Sequence, residues 1–117
     1  MVSEVSAFFE AWQVERQKIK TQVPALAGAF GTLHQAVMKE GALSVREKEL
    51  IAMALGLAHR CTPCITLHVQ GCIKAGATRE QVLEAAGVAV LMQGGPAFTH
   101  LPEVLAALEY LEGQARP

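Results

Sequence analysis

Apolar residues recur every three or four positions along most of this chain. No run alternates strictly between apolar and polar within turn signals, so the pattern predicts helices and no strands. From about Ser3 to Lys20, Phe8, Trp12, Val14 and Ile19 fall near one stripe with Glu10, Glu15, Arg16 and Lys18 around it. That predicts an amphipathic helix covering the core. Pro24 opens a second helix, on which Leu26, Phe30, Leu33 and Val37 repeat at helical spacing until Gly41 stops it; the Phe and Leu stripes are expected to be core. Ser44 and Glu47 have capping-box spacing, the serine oxygen taking a free amide and the glutamate reaching back to the serine amide. Beyond Glu49, Leu50 to Ala58 is apolar all round, so this third helix is expected to be buried on every side. In so small a chain that points to a subunit interface.

The polar break His59-Arg60-Cys61-Thr62 leads into a fourth helix, from about Pro63 to Lys74, which Gly76 ends. Thr62 precedes a proline and so disfavours helical geometry itself, which puts the helix start at or beside the cysteines. Thr78 with Gln81 forms a second capping box, for a helix to about Met92. Gly94-Gly95-Pro96 then starts a last helix lined by Phe98, Leu101, Val104, Leu105, Leu108 and Leu111, with Glu103, Glu109 and Glu112 outside. The architecture expected is all-α: one domain over residues 1–117, about six helices, with residues 1–22 as a covering helix.

Composition narrows the function. A chain of 117 residues buries roughly 65% of its unfolded surface, enough for a core. Lys and Arg (10) nearly balance Asp and Glu (11), which gives no nucleic-acid footprint and no anionic-membrane surface. No apolar run reaches the roughly 18 residues of a membrane span, and the first residues lack a secretory pattern. The expected address is the cytoplasm, where a close cysteine pair is more often catalytic or metal-binding than structural. The absence of Asp and Asn agrees with a helical protein and weakly with a heat-adapted source.

The chemistry concentrates between Glu49 and Cys72. Cys61 and Cys64 stand at a helix start, where unpaired amides and the helix dipole favour thiolate, and their spacing lets one attack and the other resolve. His68 follows Cys64 by one helical turn and is placed to take its proton. Glu49 either orients His68 and stabilises its charged form or serves its own helix dipole; spacing leaves both readings open. Cys72 continues the Cys64–His68 face and is expected to be core. The same three cysteines and His68 suit zinc by type, but all four would come from one helix and its leading edge, whereas tetrahedral sites usually draw on two segments. Ile65 in place of a histidine excludes the usual haem attachment. His34 and His100 are candidates for a pocket lining but are expected to be half-exposed. His59 and Arg60 add positive charge beside the pair.

Glu49, Cys61, Cys64 and His68 together resemble the E-x(11)-C-x-x-C-x(3)-H motif of the alkylhydroperoxidase D-like proteins within the carboxymuconolactone decarboxylase family. The likeness runs from roughly Pro24 to Glu109 and includes the Ala75-Gly76-Ala77-Thr78 turn and the Gly94-Gly95-Pro96 start. It implies an all-helical subunit in a dimer, trimer or hexamer, with the site near a subunit contact. It also implies reduction of a hydroperoxide or disulfide substrate with no bound cofactor, and recycling by a lipoylated or thioredoxin-like dithiol partner. By the same resemblance Cys64 is the peroxidatic thiol, Cys61 the resolving thiol, and His68 with Glu49 the proton relay. Well-studied peroxidase members can carry a further histidine just before the second cysteine. This chain has Pro63 there, which lowers the peroxidase strength implied while leaving the redox pair. The decarboxylase branch lacks the cysteine pair and fits poorly. A non-enzymatic oligomer that senses redox state or binds zinc is the other class in view.

Overall fold

Two helices start where their capping residues place them. Ser44 Oγ accepts the Glu47 amide at 3.1 Å while Glu47 Oε1 accepts the Ser44 amide at 2.8 Å. Thr78 and Gln81 repeat the exchange at 3.1 and 3.0 Å. Each pair satisfies two amide donors that a helix start otherwise leaves open.

The computed structural model describes residues 1–115, and all the regular structure in them is helical. The order is α1 (Val2–Gln22), α2 (Pro24–Met38), α3 (Val45–Ala58), α4 (Thr62–Lys74), α5 (Arg79–Gln93), the single turn α6 (Gly95–Phe98) and α7 (Leu101–Ala115). The all-α expectation is met, and no described helix is long and apolar enough to cross a membrane.

The core lies where α3, α4, α5 and α7 meet. Met53 and Leu57 of α3 pack with Ile65, Val69 and Cys72 of α4, with Val82 and Ala86 of α5, and with Val104 and Leu108 of α7. Burying each large aliphatic side chain contributes about 1.5–3 kcal/mol, so this cluster fixes the α3–α4 contact on which the candidate site is built. The Arg79 guanidinium donates to Glu112 and ties the start of α5 to the end of α7.

Four expectations change. On α1 only the first half covers the core: Val5 is buried and Phe8, Phe9 and Trp12 are partly covered, whereas Val14 and Ile19 face outward. Phe9 stacks on Tyr110 at 5.4 Å, so aromatic contact with α7 anchors that half. On α2 the helix forms from Pro24 as expected, but its stripe is not core: Leu26 and Phe30 are 66% and 64% exposed, and Leu33 and Val37 are also open. Lys48 Nζ donates to the Val37 and Lys39 carbonyls, each at 2.7 Å, which satisfies acceptors left free at the end of α2. The apolar run of α3 is buried on its α4–α5 side, but Ile51 and Leu55 face out. The expected last helix is two pieces, α6 and α7, and Phe98 lies exposed on the first. Pro102 explains the break: it has no amide for the carbonyl four residues back, and its ring opposes a continuous turn there.

Candidate active site

The end of α3 sets the position of the cysteines. Arg60 adopts a left-handed φ of 56°, the Arg60 amide reaches the Leu57 carbonyl at 3.0 Å, and the Cys61 amide reaches the Gly56 carbonyl at 3.0 Å. This is the Schellman arrangement that closes a helix and turns the chain. The end of α4 uses the same bonds, from Gly76 to Ile73 at 3.1 Å and from Ala77 to Cys72 at 2.9 Å, with glycine at the left-handed position (φ 94°).

The turn leaves Cys61 as the N-cap of α4, its Sγ accepting the Cys64 amide at 3.3 Å. Cys61 and Cys64 are bonded as a disulfide, with Cα atoms 5.2 Å apart. Thr62, expected to stay outside the helix, is its first residue, and Pro63 follows inside the first turn. A proline there has no preceding turn to clash with, and its missing amide is one the helix start leaves unpaired anyway. Both cysteines are partly exposed, with Pro63 and Thr62 open beside them.

Behind the disulfide, α4 lies very close to α3. A Cβ on Gly56 would come within 2.9 Å of Cys64 Cβ and 3.3 Å of the Cys64 backbone carbon, so glycine is what lets the cysteine turn rest on α3. One turn further along α4, His68 Nδ1 lies 2.7 Å from Glu49 Oε1. A carboxylate only accepts, so Nδ1 donates in this bond and Nε2 is the ring nitrogen outside it. The side chains of Glu49 and His68 are 14% and 27% exposed, shielded but not sealed. Gly71 makes room for the carboxylate, since a Cβ there would meet Glu49 oxygens at 2.5 and 2.6 Å. The open choice for Glu49 is thereby decided: its carboxylate bonds His68.

The remaining candidates separate. Cys72 is fully buried in the core, and burial first, with the Glu49 charge second, pushes its thiol up to about 12. It is a packing residue. His34, His59 and Arg60 are exposed. His100 lies in the turn before α7, its Nδ1 donating to the Pro96 carbonyl at 2.8 Å.

Glu103, expected on the outer face of the last helix, instead reaches the first residue of α4. Its Oε1 accepts the Thr62 hydroxyl at 2.6 Å. Three residues of this site carried little signal. Gly56 and Gly71 are isolated glycines inside helices, a pattern that often marks close approach, and Pro102 marks the helix start that aims Glu103.

Fold and site together define a class: an all-helical protein with a disulfide at a helix start, backed by a buried-edge Glu–His pair, in the alkylhydroperoxidase D-like fold. The chain belongs to the carboxymuconolactone decarboxylase family, whose model matches residues 24–110. A family member from Legionella pneumophila has a solved structure that superimposes with a TM-score of 0.84 at 39% identity, covering 97% of this chain and 98% of that one. A second, from Thermotoga maritima, gives a TM-score of 0.81 at 30% identity over 92% of this chain and 91% of its own; a part in the antioxidative response has been suggested for it. An uncharacterized protein of the cox locus in Paracoccus denitrificans is 42% identical over 85 residues, 73% of this chain and 77% of that protein.

Proposed function

We propose that this protein is a thiol oxidoreductase that reduces hydroperoxides through Cys61 and Cys64 and is recycled by an external dithiol. The observation that carries the reading is the Glu49–His68 hydrogen bond at 2.7 Å on the helix whose first turn holds the disulfide. A disulfide that only braced the fold has no use for an oriented imidazole one turn below it.

In the cycle, the Cys64 thiolate attacks the outer peroxide oxygen. The O–O bond breaks, the alkoxide takes a proton and leaves as an alcohol, and Cys64 becomes a sulfenic acid. His68 Nε2 takes the Cys64 proton beforehand and returns it to the alkoxide, while Glu49 holds the ring in that tautomer. The Cys61 thiol then condenses with the sulfenic acid, releasing water and forming the disulfide. A lipoylated or thioredoxin-like dithiol gives two electrons and two protons to reopen it, becoming a disulfide itself. The partly exposed edge of the pair supports access by such a partner. No bound cofactor is needed.

The same reading places the protein in the cytoplasm and in a homo-oligomer of two, three or six subunits. Exposed apolar side chains support self-association: the α2 stripe, Ile51 and Leu55 on α3, and Leu91 on α5, which is 80% exposed. Patches of this kind on a small protein usually mark contact surfaces.

The test is steady-state consumption of dihydrolipoamide or reduced thioredoxin with an alkyl hydroperoxide. Cys64→Ser abolishes turnover and His68→Ala slows it about a hundredfold, within the usual worth of a general base. Unchanged rates in both variants exclude the peroxidase reading and leave the redox-sensing alternative.

A further inference from the structure

Glu103 is the one buried side-chain oxygen without a partner among the described residues: its Oε2 is essentially sealed from solvent, and its side chain is 22% exposed. The other oxygen, Oε1, accepts the hydroxyl of Thr62, the residue that follows Cys61 and opens α4. A first-turn glutamate ordinarily serves its own helix start. This one stands in the first turn of α7 and bonds the first residue of α4, so a single carboxylate is shared by two helix starts.

We propose that Glu103 is a positioning residue for the redox pair: held against the start of α4 by Thr62, its charge opposes the thiolate and biases Cys61 and Cys64 toward the disulfide. The start of α4 favours a thiolate through its open amides and the positive end of its dipole. A carboxylate fixed at the same point takes up part of that field. Because it is shielded from solvent, its charge is less screened than that of a surface glutamate. Met1 and Glu4 line the same cavity of about 60 Å³, so the chain start brings one ammonium and one carboxylate to it, while His100 Nε2 lies 4.0 Å from Oε2, beyond hydrogen-bond reach. His68 of α4 is paired with Glu49 of α3.

The equilibrium concerned is the protein disulfide plus a small dithiol giving the protein dithiol plus the small disulfide, two electrons and two protons passing to the cysteines. A stabilised thiolate pulls it toward the protein dithiol; a nearby carboxylate pulls it back.

This inference rests on the pair cycling between disulfide and dithiol, so reducibility of the unmodified protein by dihydrolipoate is scored first; failure there counts against the proposed function. The full-length protein is then titrated by thiolate absorbance and equilibrated with dihydrolipoate at about pH 9, where Cys72, at about 12, is silent. Glu103→Gln keeps an acceptor for Thr62 and removes the charge. We expect the lower thiol pKa of the reduced pair to fall by about 0.5–1 and the equilibrium to shift about threefold to tenfold toward the protein dithiol. Thr62→Val, which releases the carboxylate from α4, shifts both in the same direction, and Thr62→Ser restores the original values. Glu109→Gln, an exposed carboxylate of the same helix, changes neither. Unchanged values in Glu103→Gln or in Thr62→Val, or an equal shift in Glu109→Gln, overturns the proposal.

Discussion

His68 and Glu49, nineteen residues apart, meet across the α3–α4 contact at 2.7 Å, and a glycine on each helix makes the approach possible. Gly71 faces the tip of a glutamate side chain, whereas Gly56 faces the Cβ and backbone of Cys64. The same substitution therefore has different consequences at the two positions.

Gly71→Ala displaces a flexible carboxylate rather than a helix. The helix gains about 0.5–1 kcal/mol of intrinsic propensity, so thermal stability stays near its original value while the Glu49–His68 bond is lost. Peroxide turnover is expected to fall about tenfold, as for a general base left unoriented. Gly56→Ala pushes α4 bodily from α3 and costs about 1–3 kcal/mol, read as a lower denaturation midpoint in urea. Equal stability losses in the two variants contradict this account of the contact.

Arg60 holds the left-handed position that Gly76 fills at the end of the next helix. Its side chain is exposed and the turn's bonds are made by the backbone, so Arg60→Gly removes a conformational cost without removing a contact. A non-glycine residue in that region costs roughly 1 kcal/mol. Arg60→Gly is expected to recover about that amount, less what the more flexible unfolded chain gains, and to raise the melting temperature by a few degrees. A lower melting temperature indicates instead that the arginine side chain supports the turn.

Cys72 gives the molecule a signature at alkaline pH. Its folded thiol is raised from 9.0 to about 12, so below about pH 9 folded and unfolded chains are both protonated and the stability is fully present. Above that value the unfolded chain alone loses the proton, and stability falls by up to about 1.4 kcal/mol per pH step until the folded thiol also ionises. Urea unfolding of the reduced protein between about pH 9 and 11 shows this slope, and Cys72→Ala flattens it. In the native reduced protein at about pH 8, iodoacetamide modifies Cys61 and Cys64 and spares Cys72.

Much of the helical plan is legible in the sequence. Ser44 with Glu47 and Thr78 with Gln81 announce their helices because capping is local chemistry, and the spacing of Glu49, Cys61, Cys64 and His68 announces the site because those residues share one pair of helices. Harder to read was which apolar face is covered. Leu26 and Phe30 on α2 follow the same periodicity as Val104 and Leu108 on α7, yet the first pair is open and the second buried. Periodicity marks an apolar face and is silent on what covers it. Glu103 escaped because its role depends on where Pro102 breaks the last helix, a tertiary consequence of a local signal.

A thiol count tests most directly the proposed redox unit of Cys61 and Cys64 activated by His68. The reduced protein is mixed with one equivalent of an alkyl hydroperoxide, and free thiols are counted by mass after alkylation in denaturant. Two thiols per chain are expected to be lost, both mapping to Cys61 and Cys64, and dihydrolipoamide is expected to restore them. In Cys64→Ser, Cys61 and Cys72 both stay free. Retention of both thiols in the unmodified protein, or equally rapid loss in Cys64→Ser, contradicts it.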